Sequence, residues 1–176
     1  HGQASAIDVL ERVMYNSLLA GVSLDGRSFF YANPLESFGE SKRSPWFDCA
    51  CCPGNLLRFL ASVPSYQYAQ ANNTVYVNLY AAGSARITLD DKRTVELVQQ
   101  TRYPWEGLVR LTMSFAPSGT VRLKLRVPGW ARQEVVPGDL YRFIDPAPGP
   151  PTLALNGVPV PLESRDGYVT LERTWR

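Results

Sequence analysis

The cysteines of the chain, Cys49, Cys51 and Cys52, fall within four consecutive positions. The thiolate is the nucleophilic and metal-binding form of cysteine. A clustered, odd-numbered set is a poor disulfide framework, because bridges staple distant parts of a chain. Clustering points instead to thiol chemistry or metal binding. Pro53 follows directly, and proline is favoured at the first position of a helix. Cys51 and Cys52 are therefore expected at or just before a helix N-terminus, whose partial positive charge favours the thiolate. Asn55 is expected to add a polar side chain nearby. A tetrahedral zinc site takes four protein ligands, or three and a water or substrate. This segment offers two or three sulfurs, and the one histidine, His1, is terminal. Further ligands are expected from a carboxylate here, from chain outside these residues or from a partner. A plainer reading stands beside this one: free cysteines are among the most buried residues, and these could be small side chains at a helix start. No second Cys pair or His pair follows, so the spacing is not that of a zinc finger.

The elements that would position the thiols can be read from periodicity. Ser5-Ala6-Ile7-Asp8 resembles a capping box with Asp at the third helical position. Ile7, Leu10, Val13 or Met14, and Leu18 follow at helical spacing, so residues 6–20 are expected to form an amphipathic helix with Gly21 as C-cap. Ser23-Leu24-Asp25-Gly26-Arg27 reads as a turn. Phe29-Phe30-Tyr31 reads as a short buried strand stopped by Asn33-Pro34. After Pro53, the stripe Leu56, Phe59, Leu60 and Val63 predicts a helix ending near Pro64. From about residue 66 the period becomes two. Residues 74–80, 85–89, 94–99, 108–115, 120–127, 152–155 and 167–171 alternate, separated by Asn72-Asn73, Asp90-Asp91, Pro117-Ser118-Gly119, Pro128-Gly129 and Asn156-Gly157. Short strands with such punctuation predict an antiparallel sandwich. Pro146 to Pro151 reads as a connecting loop. The fold class expected is mainly β with an N-terminal helical part, divided into 1–65 and 66–176.

Composition sets the outer limits. Of 176 residues, 45% are apolar and 19% charged, a globular balance. A net charge of +2 with scattered basic residues gives no basis for nucleic-acid binding. Arg122, Lys124 and Arg126 alternate with apolar residues and read as the wet face of a strand. No apolar run is long enough to span a bilayer. Clustered free thiols favour a reducing compartment, so a cytoplasmic location is expected. The chain opens on His1-Gly2-Gln3-Ala4-Ser5, without an initiator Met or signal-peptide core, and ends on Thr174-Trp175-Arg176. It is expected to be a piece of a longer polypeptide.

The stretches Asp8–Asn16, Leu24-Asp25-Gly26, Phe29-Phe30-Tyr31, Asn33-Pro34-Leu35-Glu36 and Trp46–Pro53 resemble the β-L-arabinofuranosidases of glycoside hydrolase family 127. Thr101–Trp105, Arg126–Ala131 and Leu171–Trp175 continue the resemblance in the family's order over nearly the whole chain. The resemblance implies that residues 1–65 are the end of an (α/α)-barrel catalytic domain and 66–176 a β-sandwich domain. It implies a retaining mechanism with a zinc-bound cysteine as nucleophile and a glutamate as acid/base, where retaining glycosidases ordinarily use two carboxylates. Carried onto this sequence, Cys51 is nucleophile and zinc ligand, Cys52 is zinc ligand, and Tyr31 matches a tyrosine near the sugar. The family's acid/base Glu, its zinc-binding Glu and one zinc-binding Cys lie upstream of the equivalent of residue 1. The partners implied are an L-arabinofuranose-containing oligosaccharide and the catalytic-domain residues upstream of His1; a homodimer is a candidate assembly, and neither nucleic acid nor membrane is expected.

Other residues carry more than one reading. Glu11 reads as a solvated or helix-supporting charge. Glu36 could face the site or support a loop. Trp46 reads as core or as a wall of the site, and Trp105 and Trp130 as core or inter-domain residues. Two further functional classes compete with the hydrolase: a non-catalytic carbohydrate-binding sandwich, and a structural module in which zinc and the thiols staple helix to loop.

Overall fold

The computed structural model describes residues 2–32, 34–49, 51–145 and 149–175. Asn33 and Pro146, named above for a strand stop and a loop, lie outside the described residues, as do His1 and Arg176. The chain divides into two units, His1–Asp8 with Ser65–Arg176, and Val9–Pro64.

Helix α1 covers Ser5–Val13 and continues as a π-helical turn over Met14–Leu18. The apolar stripe is the reason: Ile7, Leu10, Met14 and Leu18 are all half-buried. Asp8 does not close a capping box. Its carboxylate instead accepts hydrogen bonds from Arg126 and from the Gly129 amide. Glu11 is 6% exposed, so it is buried rather than solvated. The Asp25-Gly26 turn forms as expected, with the Gly26 amide bonded to the Ser23 carbonyl. Phe29-Phe30-Tyr31 is not a buried strand. Phe29 alone makes isolated bridges, to Val22 and Ser44, and Tyr31 is exposed; there is no full neighbouring strand for the run to pair with among the described residues.

Helix α2 spans Cys51–Gln67. It begins ahead of Pro53 and runs through Pro64, three residues past the expected end. A proline interrupts one backbone bond and strains the preceding turn, but so near the C-terminus the helix completes its last turn before strand β1 takes over.

The strands are β1 (Tyr68–Ala71), β2 (Thr74–Val77), β3 (Gly83–Thr88), β4 (Thr94–Thr101), β5 (Val109–Phe115), β6 (Thr120–Arg126), β7 (Leu153–Leu155), β8 (Val158–Val160), β9 (Ser164–Arg165) and β10 (Tyr168–Thr174). One sheet has five strands in the order β1-β2-β6-β10-β9, another three in the order β3-β4-β5, and β7 pairs with β8. Pairing is antiparallel except between β2 and β6, which are parallel. A parallel neighbour requires a crossover, and here the chain from β3 to β5 makes it, forming the second sheet. Val75, Val77, Val121, Leu123 and Leu171 from the first sheet pack with Val95 and Leu97 from the second in one core. That shared core makes the β part a sandwich.

The turns are chemically apt. Asn72-Asn73 and Asn156-Gly157 both hold positive φ at their two positions, the geometry that matches hairpin twist. Asp166-Gly167 does the same between β9 and β10.

Charges on β6 part company with the expected wet face. Arg122 is exposed and pairs with Glu172 at 2.8 Å. Lys124 lies over the Tyr76 ring. Arg126 has the same parity, yet it is only 1% exposed. Alternation holds; what differs is that the outer face near Arg126 is roofed by the N-terminal segment. Trp105, expected as core or inter-domain, is 86% exposed. Trp130 is 43% exposed, stacks on Tyr103, and donates its ring N–H to the Tyr103 hydroxyl at 3.1 Å.

Candidate active site

Helix α2 sorts its two cysteines by face. Cys52 is half-buried and lies at helical spacing with the half-buried Leu56, Phe59 and Val63. Cys51, one residue earlier, is exposed. Their sulfurs are 3.7 Å apart. Cys49 is also exposed, and its thiol interacts with the thiol and backbone N–H of Cys51 and with the Tyr31 hydroxyl. Tyr31 is thus brought to the thiols although it lies far from them in sequence. Its ring is held by Phe47 at 5.8 Å, and Phe47 packs edge-on against Phe29 at 5.2 Å. The irregular segment before the helix is therefore positioned by an aromatic cluster rather than by a strand.

Electrostatics separate Cys51 from Cys49. Hydrogen bonding with Cys49 and then Cys52 pushes the Cys51 thiol up to about 11. Cys49 is lowered, first by the Cys51 backbone N–H. Tyr31 is raised, chiefly by its hydrogen bond with Cys49. The helix start thus favours the anion at Cys49, whereas Cys51 by itself stays a thiol at neutral pH.

Other expected contributors take other roles. Asn55 accepts from Arg58 at 2.9 Å. Glu36 is exposed. Trp46 is 62% exposed, which excludes a core role. With Cys52, Phe29, Phe30, Pro45 and Leu57 it lines a cavity of about 650 Å³.

Among the described residues, no group of three or more His, Cys, Asp and Glu side chains is placed to hold a metal ion. The Cys51–Cys52 pair is nonetheless a good partial donor set. Zinc–sulfur bonds of about 2.3 Å at tetrahedral angles put two sulfurs roughly 3.8 Å apart, close to the observed 3.7 Å. Two sulfurs fit zinc in type and spacing, and leave its coordination open.

Residues 1–65 match the family model of the GH127 β-L-arabinofuranosidase catalytic domain, and residues 74–176 match that of the GH127 middle domain. The second match alone spans more than half of the chain. The chain belongs to glycoside hydrolase family 127. Relatives within family 127 agree. The non-reducing end β-L-arabinofuranosidase of Bifidobacterium longum is 36% identical over 93% of this chain and 24% of its own length. A solved GH127 β-arabinofuranosidase superposes with a TM-score of 0.90 at 48% identity, covering 100% of this chain and 27% of that one. A GH127 β-L-arabinofuranosidase from Geobacillus stearothermophilus T6 gives 0.82 at 35% identity, covering 99% and 27%. The chain thus spans about a quarter of the length of these relatives.

No signal in the sequence marked Phe47 or Cys49 as contributors to the Tyr31 surroundings. Phe47 could have been suspected from the density of aromatics at 29–31 and 46–47. Cys49 was one of the thiols, but its contact with Tyr31 depends on the loop path.

Proposed function

We propose that this chain carries the nucleophile segment of a retaining glycoside hydrolase that releases terminal β-L-arabinofuranose from plant-type glycans. The observation that carries the reading is the unequal placement of two neighbouring thiols. Cys51 is open at the start of α2, and Cys52 lies on the covered stripe with its sulfur 3.7 Å away. An attacking sulfur must be reachable, and a purely coordinating one need not be.

In this reading Cys51 and Cys52 are ligands of a zinc ion. Bound there, zinc would keep its coordinating thiols as thiolates against the hydrogen bonding that otherwise holds Cys51 protonated. Cys51 Sγ attacks the anomeric carbon, and the glycosidic oxygen leaves. A carboxylic acid from outside these residues protonates that oxygen and then deprotonates the water that displaces Cys51. Two displacements restore the starting configuration. Tyr31, beside Cys49 and braced by Phe47, orients the sugar ring. The segment matched by residues 1–65 is the end of the catalytic (α/α) barrel. These 176 residues alone are inactive, since the acid/base group and the remaining ligands lie elsewhere.

The test is substitution in the full-length protein. Cys51→Ser should abolish turnover, and excess zinc should not restore it, since an alcohol lacks the nucleophilicity of a thiolate. Cys52→Ser should weaken zinc binding and lower activity in a way that excess zinc partly restores. Mass spectrometry after a mechanism-based arabinofuranosyl inhibitor should place the adduct on Cys51. A label on Cys49, Cys52 or a carboxylate would overturn the assignment. Full activity in Cys51→Ser would instead favour a structural thiol staple.

A further inference from the structure

We propose that the β-sandwich carries a glycan-binding platform of its own, separate from the thiols, built on Trp105 with Tyr103 and Trp130 and taking a neutral, arabinofuranosyl-containing chain. The ligand class rests on the hydrolase reading above; the platform rests on the geometry of one turn.

That turn joins β4 to β5 and holds Trp105 86% exposed, with Leu108 exposed beside it in sequence. An indole left in water forgoes a large burial gain, so a loose loop would fold it onto the nearest apolar surface. This turn is fastened from inside. Thr101 Oγ1 donates to the Leu108 carbonyl at 2.8 Å and accepts from the Tyr103 amide at 3.0 Å. The Trp105 and Glu106 amides donate to the Arg102 carbonyl at 2.9 and 3.2 Å. The ring is presented on an ordered backbone, and an ordered aromatic loses little entropy when a ligand lands on it.

Further aromatics brace the turn. Tyr103 stacks on Trp130 at 6.2 Å with 29° between the planes, and Tyr80 meets Tyr103 edge-on at 5.8 Å. The Trp130 ring N–H is engaged by the Tyr103 hydroxyl at 3.1 Å, so what Trp130 shows to solvent is apolar ring. Tyr103, Gly107, Leu108 and Trp130 line one cavity of about 570 Å³, which makes the surface next to Trp105 concave. A Cβ on Gly107 would meet nothing within 4 Å, so the ground two residues beyond Trp105 is open.

A sugar ring has a face of C–H groups and a rim of hydroxyls. It is held by an aromatic face below and by polar groups at the edge. Arg102 and Glu106 flank Trp105 in the turn, both exposed and paired at 3.0 Å. A guanidinium has five N–H donors and a carboxylate about four acceptor sites, more than one ion pair uses, and vicinal hydroxyls suit both. The pair also cancels its own charge, which favours a neutral ligand over a nucleic acid or an anionic surface.

Electrophoresis of the 176-residue chain through native gels containing arabinan tests the platform. The unmodified chain should be retarded relative to a gel without glycan. Trp105→Ala should raise the apparent Kd roughly tenfold or more. Trp105→Phe, which keeps a ring, should retain most of the retardation; Trp105→Leu, apolar without a ring, should lose it. None of these changes to so exposed a ring should move the thermal midpoint of the chain. Absence of retardation in the unmodified chain, or equal retardation across the set, would overturn the proposal. So would a midpoint of the full-length protein that falls by several degrees in Trp105→Ala while that of the 176-residue chain stays put, since the ring would then be seated against the rest of the polypeptide. Neither measurement involves turnover: a full-length protein that fails to cleave arabinofuranosides would sink the hydrolase reading while leaving arabinan retardation to decide the platform.

Discussion

Burial of Tyr168 pushes its phenol up to about 12 from an ordinary value of 10.0. The folded chain therefore holds this proton more tightly than the unfolded chain does. The corresponding stability is present in full below pH 10 and is lost as pH rises towards 12. Thermal midpoints measured across that window should fall. Tyr168→Phe should make the fall shallower, because the titrating group is gone. The same variant should cost about 1 kcal/mol at neutral pH, the worth of the lost bond to Asn78. An equally steep fall in Tyr168→Phe would assign the dependence to another group. The thiols illustrate the same point without burial. Cysteines two residues apart differ because Cys51 is hydrogen-bonded with two neighbouring sulfurs, while Cys49 faces the Cys51 backbone N–H.

Strand β4 is the middle strand of its sheet, and it shows what alternation does for an element. Val95, Leu97 and Gln99 are buried, and Glu96 and Val98 between them are half-buried. Leu97 is 0% exposed and belongs to the core that joins the two sheets. Leu97→Ala should cost ~2–5 kcal/mol through lost transfer energy and the cavity left behind. Val98→Thr, on the opposite face, should cost less than about 1 kcal/mol. Urea unfolding of the two variants measures the difference; equal costs would mean that the sheets do not share a packed interior. Gln99 is the polar member of the buried row. Its amide nitrogen donates to Tyr68 Oη at 2.9 Å and to the Leu79 carbonyl at 3.2 Å, while its Oε1 is buried without a hydrogen-bond partner among the described residues.

At the scale of the whole chain, the proposed function depends on how many ligands one polypeptide brings to one ion. Two thiolates, or three with Cys49, leave a tetrahedral ion open to exchange. Zinc titrated into the 176-residue chain against a competing chelator should bind with release of protons, and more weakly than at a closed four-ligand site. An affinity equal to that of a closed site would show that the ligand set is complete here. The same preparation should not hydrolyse an aryl β-L-arabinofuranoside, since general-acid assistance is worth ~10²–10⁴-fold and the proposed mechanism takes its donor from outside these residues. Turnover near that of a complete enzyme would refute this.

Local chemistry was legible without coordinates. Helical spacing located α1 and most of α2, and two-residue alternation located β2 to β7 and β10, because side-chain period follows from backbone geometry alone. Asn-Asn and Asn-Gly marked hairpins because few residues tolerate positive φ. Adjacent cysteines before a proline marked the candidate site. Short edge elements such as β8 and β9 left too few residues for a period to register. Pairing was the harder matter. The parallel partnership of β2 with β6 and the roof over Arg126 depend on which distant segment arrives, and alternation is silent about what covers a face. For the same reason Trp46 and Trp105 could not be sorted from core tryptophans. The sequence named the thiols; only the tertiary fold decided that Cys51 faces solvent, that Cys52 faces the packed stripe, and that Tyr31 meets them across a loop.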